Sequence, residues 1–92
     1  MDSQVSGIIQ VLQNKDFKKA NELIHQLNSI NPSSALPHLY WGILEELKGF
    51  PTQAMRHYRA SIALDGTCKA SLHNLFRCGD GKSQPIDFGK DD

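Results

Sequence analysis

Four short polar breaks, at residues 14–16, 31–34, 49–51 and 65–67, cut the first 79 residues into five segments of similar length. Within the segments, apolar residues recur every three or four positions, the period of a helix with one buried face. The first carries Val5, Ile8, Ile9 and Leu12, and the second Phe17, Ala20, Leu23, Ile24, Leu27 and Ile30. The third carries Leu36, Leu39, Tyr40, Trp41, Ile43, Leu44 and Leu47 around most of its circumference, so it must be covered on two sides. Ala54, Tyr58, Ile62 and Leu64 mark the fourth, and Leu72, Leu75 and Phe76 the fifth. No segment alternates with period two, so the expected fold is all-α, without a sheet.

The breaks carry the chemistry that starts and stops helices. Asp16, Ser34 and Thr67 are placed to cap the second, third and fifth helices through a side-chain oxygen. Pro37 and Pro51 fall in first turns, where a missing N–H costs little. Gly49 follows the third segment and can take the left-handed conformation that ends a helix. Beyond Gly79 the chain reads DGKSQPIDFGKDD, with Ile86 and Phe88 its only large apolar groups. Residues 80–92 are expected to form a disordered tail.

Composition narrows the functional classes. A chain of 92 residues supports one modest core, and any site must lie on one compact surface. Ten basic side chains balance ten acidic ones, which disfavours a dedicated nucleic-acid binder and a polybasic membrane anchor. No apolar run is long enough to cross a bilayer, and the opening MDSQVSG lacks the features of a secretory signal, so an intracellular, cytoplasmic protein is expected. Cys68 and Cys78 are too few for a disulfide scaffold.

Sliding the chain by about 34 residues places Ile9 on Ile43, Ala20 on Ala54, Ile24 on Tyr58, Ile30 on Leu64 and Asn31 on Asp65. A repeat of that length, built from two helices, is a known solenoid unit. The stretch WGILEELKGFPTQAMRHYRASIALD, residues 41–65, resembles the tetratricopeptide repeat family. Trp41, Gly42, Gly49, Ala54, Tyr58 and Ser61 stand at the family's spacing, and Ala20 takes the place of Ala54 in the earlier copy. Small residues at Gly42 and Ala54 would let two helices cross closely, with Tyr58 and Ser61 filling the space between repeats. Ile8 stands where the family carries a small residue, and Gly66 where it usually carries proline. The resemblance implies a right-handed superhelical stack of antiparallel helix pairs, about five helices in all. Repeat 1 would cover about residues 1–34, repeat 2 about 35–67, and a capping helix about 68–78, within one domain over 1–79.

Catalytic and cofactor readings find little support. Gly81, Lys82 and Ser83 look like the end of a phosphate loop, but Phe76 stands where its first glycine belongs and no strand precedes it. Cys68, His73 and Cys78 are spaced by five, so on a helix they diverge instead of gathering around a metal. Glu45 and Glu46 are adjacent and point about 100° apart, the wrong relation for an acid/base pair. No nucleophile sits beside a base in any motif, so a non-enzymatic protein without cofactor or metal is expected. The basic clusters Lys15, Lys18, Lys19 and Arg56, His57, Arg59 read as solvated faces, with RNA contact a lesser alternative.

In the resembled family the first helix of each repeat lines a groove for a peptide or helix of another protein. The places where one version grips a terminal carboxylate are taken here by Val5, Ile9, Ile43, His73 and Arg77, and only Arg77 keeps the residue type. What remains is an apolar strip of Val5, Ile9, Leu12, Leu39, Ile43 and Leu47, ending near His73 and Arg77. On the first helix the continuous stripe Val5, Ile8, Ile9 and Leu12 fits a groove or a core equally, since a small rotation would bury it, whereas Leu39 and Ile43 are expected to face the groove. The expectation is an adaptor or scaffold that takes up an apolar or amphipathic partner segment along this strip. The alternative is self-assembly, with the strip, or Tyr40 and Trp41, buried in a homodimer.

Overall fold

The computed structural model describes residues 3–80 and 84–89, apart from the side chain of Asp80. Five helices follow one another: α1 (Ser3–Gln13), α2 (Phe17–Ile30), α3 (Leu36–Leu47), α4 (Pro51–Leu64) and α5 (Lys69–Asp80). No strand occurs among the described residues, as the helical period of the sequence predicts. None of these helices is long and apolar enough to cross a membrane.

Most helix ends follow the expected chemistry. The Asp16 carboxylate accepts the Lys19 N–H at 3.3 Å at the start of α2. Ser34 Oγ accepts the Leu36 N–H at 3.1 Å, one residue ahead of Ala35, which holds the cap position of α3. Pro37 and Pro51 occupy the first turns of α3 and α4. Gly49 has φ +93° and turns the chain out of α3 in the left-handed region that glycine enters without strain. Thr67 behaves differently from expectation. Its hydroxyl donates to Asp65 Oδ1 at 2.6 Å, and its N–H donates to the same oxygen at 2.9 Å. A carboxylate two residues upstream is the stronger acceptor, so it draws the hydroxyl away from α5. These two bonds also hold the Asp65 carboxyl below its ordinary pKa.

Helix α1 packs on α2 and α3, α2 on α3, α3 on α4, and α4 on α5. Helix α3 is therefore covered from several directions and buries Pro37, Leu39, Tyr40, Gly42, Ile43 and Leu44. Ala20 and Ala54 are both without solvent exposure, as the packing argument requires. Half-buried Trp41 donates its indole N–H to Asn21 Oδ1 at 3.2 Å, joining α3 to α2. Gly42 faces the ring of Tyr58: a Cβ at Gly42 would lie 2.6 Å from Tyr58 Cδ1, closer than two non-bonded carbons can rest. The crossing of α3 over α4 thus admits hydrogen alone at this position.

Ser61 does more than occupy little space. Its hydroxyl donates to the Ala35 carbonyl at 2.9 Å and lies 2.6 Å from Ser71 Oγ, with both serines fully buried. Ser61 has one proton and spends it on a carbonyl that can only accept, so Ser71 must donate to Ser61. Ser71 then has a lone pair free for the Cys68 thiol, whose sulfur lies 3.3 Å away. The chain of polar groups ties the entry of α3 to α4 and α5 in a region otherwise apolar.

Replacing Gly42 by alanine is expected to destabilise the fold by about 1–3 kcal/mol through overpacking against Tyr58. For a domain of this size the melting temperature should fall by roughly 5–15 °C, read by circular dichroism. An unshifted transition would show that the crossing is looser than described.

Candidate functional site

The expected apolar strip is not an open surface. Leu12, Leu39 and Ile43 have no solvent exposure, Ile9 retains 2% and Val5 6%. The physical reason is the continuity of the α1 stripe, which turns wholly toward α2 and α3 and fills the core between them. Leu47 is half-buried and packs against the same core. Six of the eight expected groove residues are therefore core or core-edge residues, and an acidic group at Ile43 would disrupt folding before it touched any partner.

A second correction concerns the C-terminal tail. Helix α5 runs through Asp80, and residues 84–89, expected to be disordered, lie along α3 and α5. Residues 81–83 and 90–92 lie outside the described residues. Asn74, fully buried on α5, donates from Nδ2 to the Asp87 carbonyl at 2.9 Å and accepts the Asp87 N–H on Oδ1 at 2.9 Å. Its amide thus answers both backbone groups of a single residue, as a neighbouring strand would. Tyr40 on α3 donates its hydroxyl to the Phe88 carbonyl at 3.1 Å, and His73 Nε2 donates to the Pro85 carbonyl at 3.2 Å. Ile86 and Phe88, on either side of Asp87, both pack against the core.

Gly89 closes this arrangement. It has φ +74°, and a Cβ there would meet Leu39 Cδ2 at 3.1 Å and Ala70 Cβ at 3.7 Å. The Asp87 carboxylate accepts the Gly89 N–H at 2.8 Å, which holds the turn. Backbone conformation and lack of room both call for glycine at this end of the segment. The face formed by Leu39, Tyr40, Ala70, His73 and Asn74 therefore holds a segment of pattern Pro, apolar, Asp, apolar, Gly by its main chain and its alternate side chains.

An ion pair and a tyrosine hydroxyl also join α3 to α4 and α5. Glu46 on α3 accepts the Tyr58 hydroxyl on Oε1 at 2.7 Å and pairs through Oε2 with Arg77 of α5. The Arg77 and Glu46 side chains are only 10% and 12% exposed, so the pair is shielded from water. Arg77, expected at the end of the groove, instead links α5 to α3, and its Nε is buried without an acceptor among the described residues. Burial, then the hydrogen bond to and charge of Glu46, push the Tyr58 hydroxyl far above its ordinary range, which favours its role as a donor to that carboxylate. The same two causes, burial first, push the Cys78 thiol up to about 11.

Of the residues singled out from sequence, His73 meets the tail directly and Leu39 underlies Gly89. Trp41, Gly42, Gly49, Ala20, Ala54, Tyr58 and Ser61 all lie at helix contacts or turns. Asn74, Ala70 and the tail were missed. The signal that could have found them is the short alternation of Ile86, Asp87 and Phe88, together with an asparagine on an otherwise small-residue face of α5. The chain matches no family model, no curated protein and no solved structure.

Asn74→Ala should free the tail from α5, with loss of protection at the Asp87 and Gly89 amides in hydrogen exchange and a cost of about 1–2 kcal/mol. Unchanged protection there would mean that the amide is not what holds the segment. At pH 8.5 Cys78 should react with an uncharged alkylating reagent about a hundredfold more slowly than an ordinary cysteine, because only the thiolate attacks. Site-resolved mass spectrometry reads that rate, and Glu46→Gln should raise it.

Proposed function

We propose that this chain is a non-enzymatic interaction module, and that the face of α3 and α5 takes up an extended segment of a partner protein in place of its own tail. The observation that carries this reading is the two-way pairing of buried Asn74 with the backbone of Asp87. A buried amide that meets a main chain through both its donor and its acceptor is indifferent to the side chain it bridges. Selectivity then falls to the flanking apolar positions, to glycine, and to the Asp whose carboxylate holds the glycine turn. The partner segment would share the pattern Pro, apolar, Asp, apolar, Gly seen in residues 85–89.

The architecture proposed for the module is a two-repeat stack with a capping helix, similar to tetratricopeptide repeats and wound as a right-handed superhelix. Support comes from the contact of α1 with α3 across the intervening helix, and from small residues at Ala20, Gly42 and Ala54 where helices meet. Such a stack gains its core from its neighbours, and a segment bound along one face adds to the stability of a short array. Two cysteines, both free and half-buried, suit a reducing compartment.

A tethered tail competes with any outside segment at an effective concentration of about a millimolar, so the resting module binds a free peptide weakly. A labelled peptide copying residues 84–89 should therefore show little anisotropy change with the parent chain. With Ile86→Asp and Phe88→Asp in the tail, binding should strengthen by about tenfold or more, and adding Asn74→Ala should weaken it again by about tenfold. No binding to the tail variant at millimolar peptide would overturn the reading. A protein mass that rises with concentration in the parent and not in the tail variant would instead assign the face to a second copy's tail.

A further inference from the structure

In the first turn of α3, an imidazole meets one from α4. His38 and His57 face each other Nδ1 to Nδ1 at 3.3 Å, with ring centroids 5.6 Å apart and planes 25° from parallel. Both are half-buried, and Trp41 lies against the two of them, its centroid 5.3 Å from that of His38 and 5.8 Å from that of His57. The stretch of α3 so fastened also carries Leu39 and Tyr40, which lie beneath the tail. We propose that the histidine pair is a proton-operated latch: it holds α3 to α4 while at most one of its rings is charged, and parts when both are.

The number of protons the gap can hold decides its behaviour. Two ring nitrogens this close form an N–H···N hydrogen bond. One ring then carries its proton on Nδ1, and the other, whose Nδ1 lone pair accepts it, carries its own on Nε2. A first added proton goes to the free Nε2 of the donor ring, which leaves the bond in place and makes it charge-assisted. A second finds only the Nδ1 of the acceptor ring. Two cations would then point N–H groups at each other across the same 3.3 Å, with no acceptor between them. The rings must separate to admit that proton, so acid opens the contact.

The neighbours on each packed element act in the same direction, with one exception. Helix α1 has no titratable side chain between Ser3 and Gln13. From α2, Lys18 and His25 border the cleft that His57 also lines, and His25 lies edge-on to Trp41 at 4.9 Å. From α3, Glu45 and Lys48 line that cleft and pair with each other at 3.6 Å. On α4, Arg56 and Arg59 flank His57 in sequence and are exposed, and Arg77 of α5 is taken up by Glu46. Glu45 is the exception, favouring charge on His57, but burial and His38 outweigh it and hold that ring below the ordinary histidine value of 6.5. Burial lowers His38 as well. Rings that are parted or unfolded therefore bind more protons than the closed pair. The stability the pair contributes is full above about pH 6.5 and is lost as pH falls below it.

Nitrogen NMR of the imidazoles in the full parent chain, which needs no variant to fold, tests the pairing. At pH 7.5 one ring of the pair should carry its proton on Nδ1 and the other on Nε2, with a scalar coupling across the bond. The coupling should vanish on acidification as the second ring becomes charged. Trp41, the only tryptophan of the chain, reads the opening by fluorescence, in a background of His25→Gln to remove the exposed imidazole beside it. Its titration should follow a two-proton curve, and adding His57→Gln, which leaves one ring, should reduce it to a one-proton curve or none. Between pH 7.5 and 5 the melting temperature of the parent should also fall further than that of His57→Gln. Both rings protonated on Nε2 at pH 7.5, a coupling that persists when both rings are charged, or the same fluorescence titration with His57→Gln would overturn the latch.

Discussion

Where α3 crosses α4, the backbone of Gly42 lies against the ring of Tyr58 with no room for a side chain between them. The rest of the molecule depends on that approach. It brings the Tyr58 hydroxyl within 2.7 Å of Glu46, and Glu46 in turn reaches Arg77 on α5. The same approach lets Ser61 of α4 reach the Ala35 carbonyl ahead of α3. Removing charge from such a shielded pair one partner at a time is costly, because the other is left in a region poor in water. The close crossing therefore fixes which polar groups are satisfied, and with them the place of α5.

With α5 fixed, Asn74 and His73 present donors to the residues that follow the helix, and Tyr40 of α3 presents another. Two helices distant in sequence thus converge on a short extended segment. Apolar burial of Ile86 and Phe88 supplies attraction, while the hydrogen bonds fix direction and register. The division of labour is that of an edge strand, achieved with side chains on helices. On the other side of α3, Trp41 meets His25 and Asn21 of α2, and Trp41 and His38 meet His57 of α4, so opposite faces of one helix carry separate surfaces.

Much of the fold is legible in the sequence. Helical periodicity and the breaks placed all five helices, because amphipathic stripes and caps are local properties. Gly42, Ala54 and Tyr58 could be assigned to a crossing because residues 41–65 resemble a known helical repeat that carries small and aromatic residues at those places, and all three are buried where α3 meets α4. The open strip was misjudged for a definite reason. A stripe of Val5, Ile8, Ile9 and Leu12 looks the same whether it faces a groove or a core, and only the rotation of α1 decides. The tail escaped because its binding is not local: Asn74 and Asp87 are polar, and nothing in their own neighbourhoods announces that they pair. Thr67 likewise followed a nearby carboxylate that competes with the helix end.

Gly89 and Asn74 carry a consequence for how such a chain can change over time. The surface that reads and the segment that is read are encoded together, so an altered side chain on either one can be answered by a second change in the same gene. A receptor whose ligand is made elsewhere must wait for another locus to follow. Self-recognition of this kind gives the pair freedom to drift jointly in sequence while the contact between them persists.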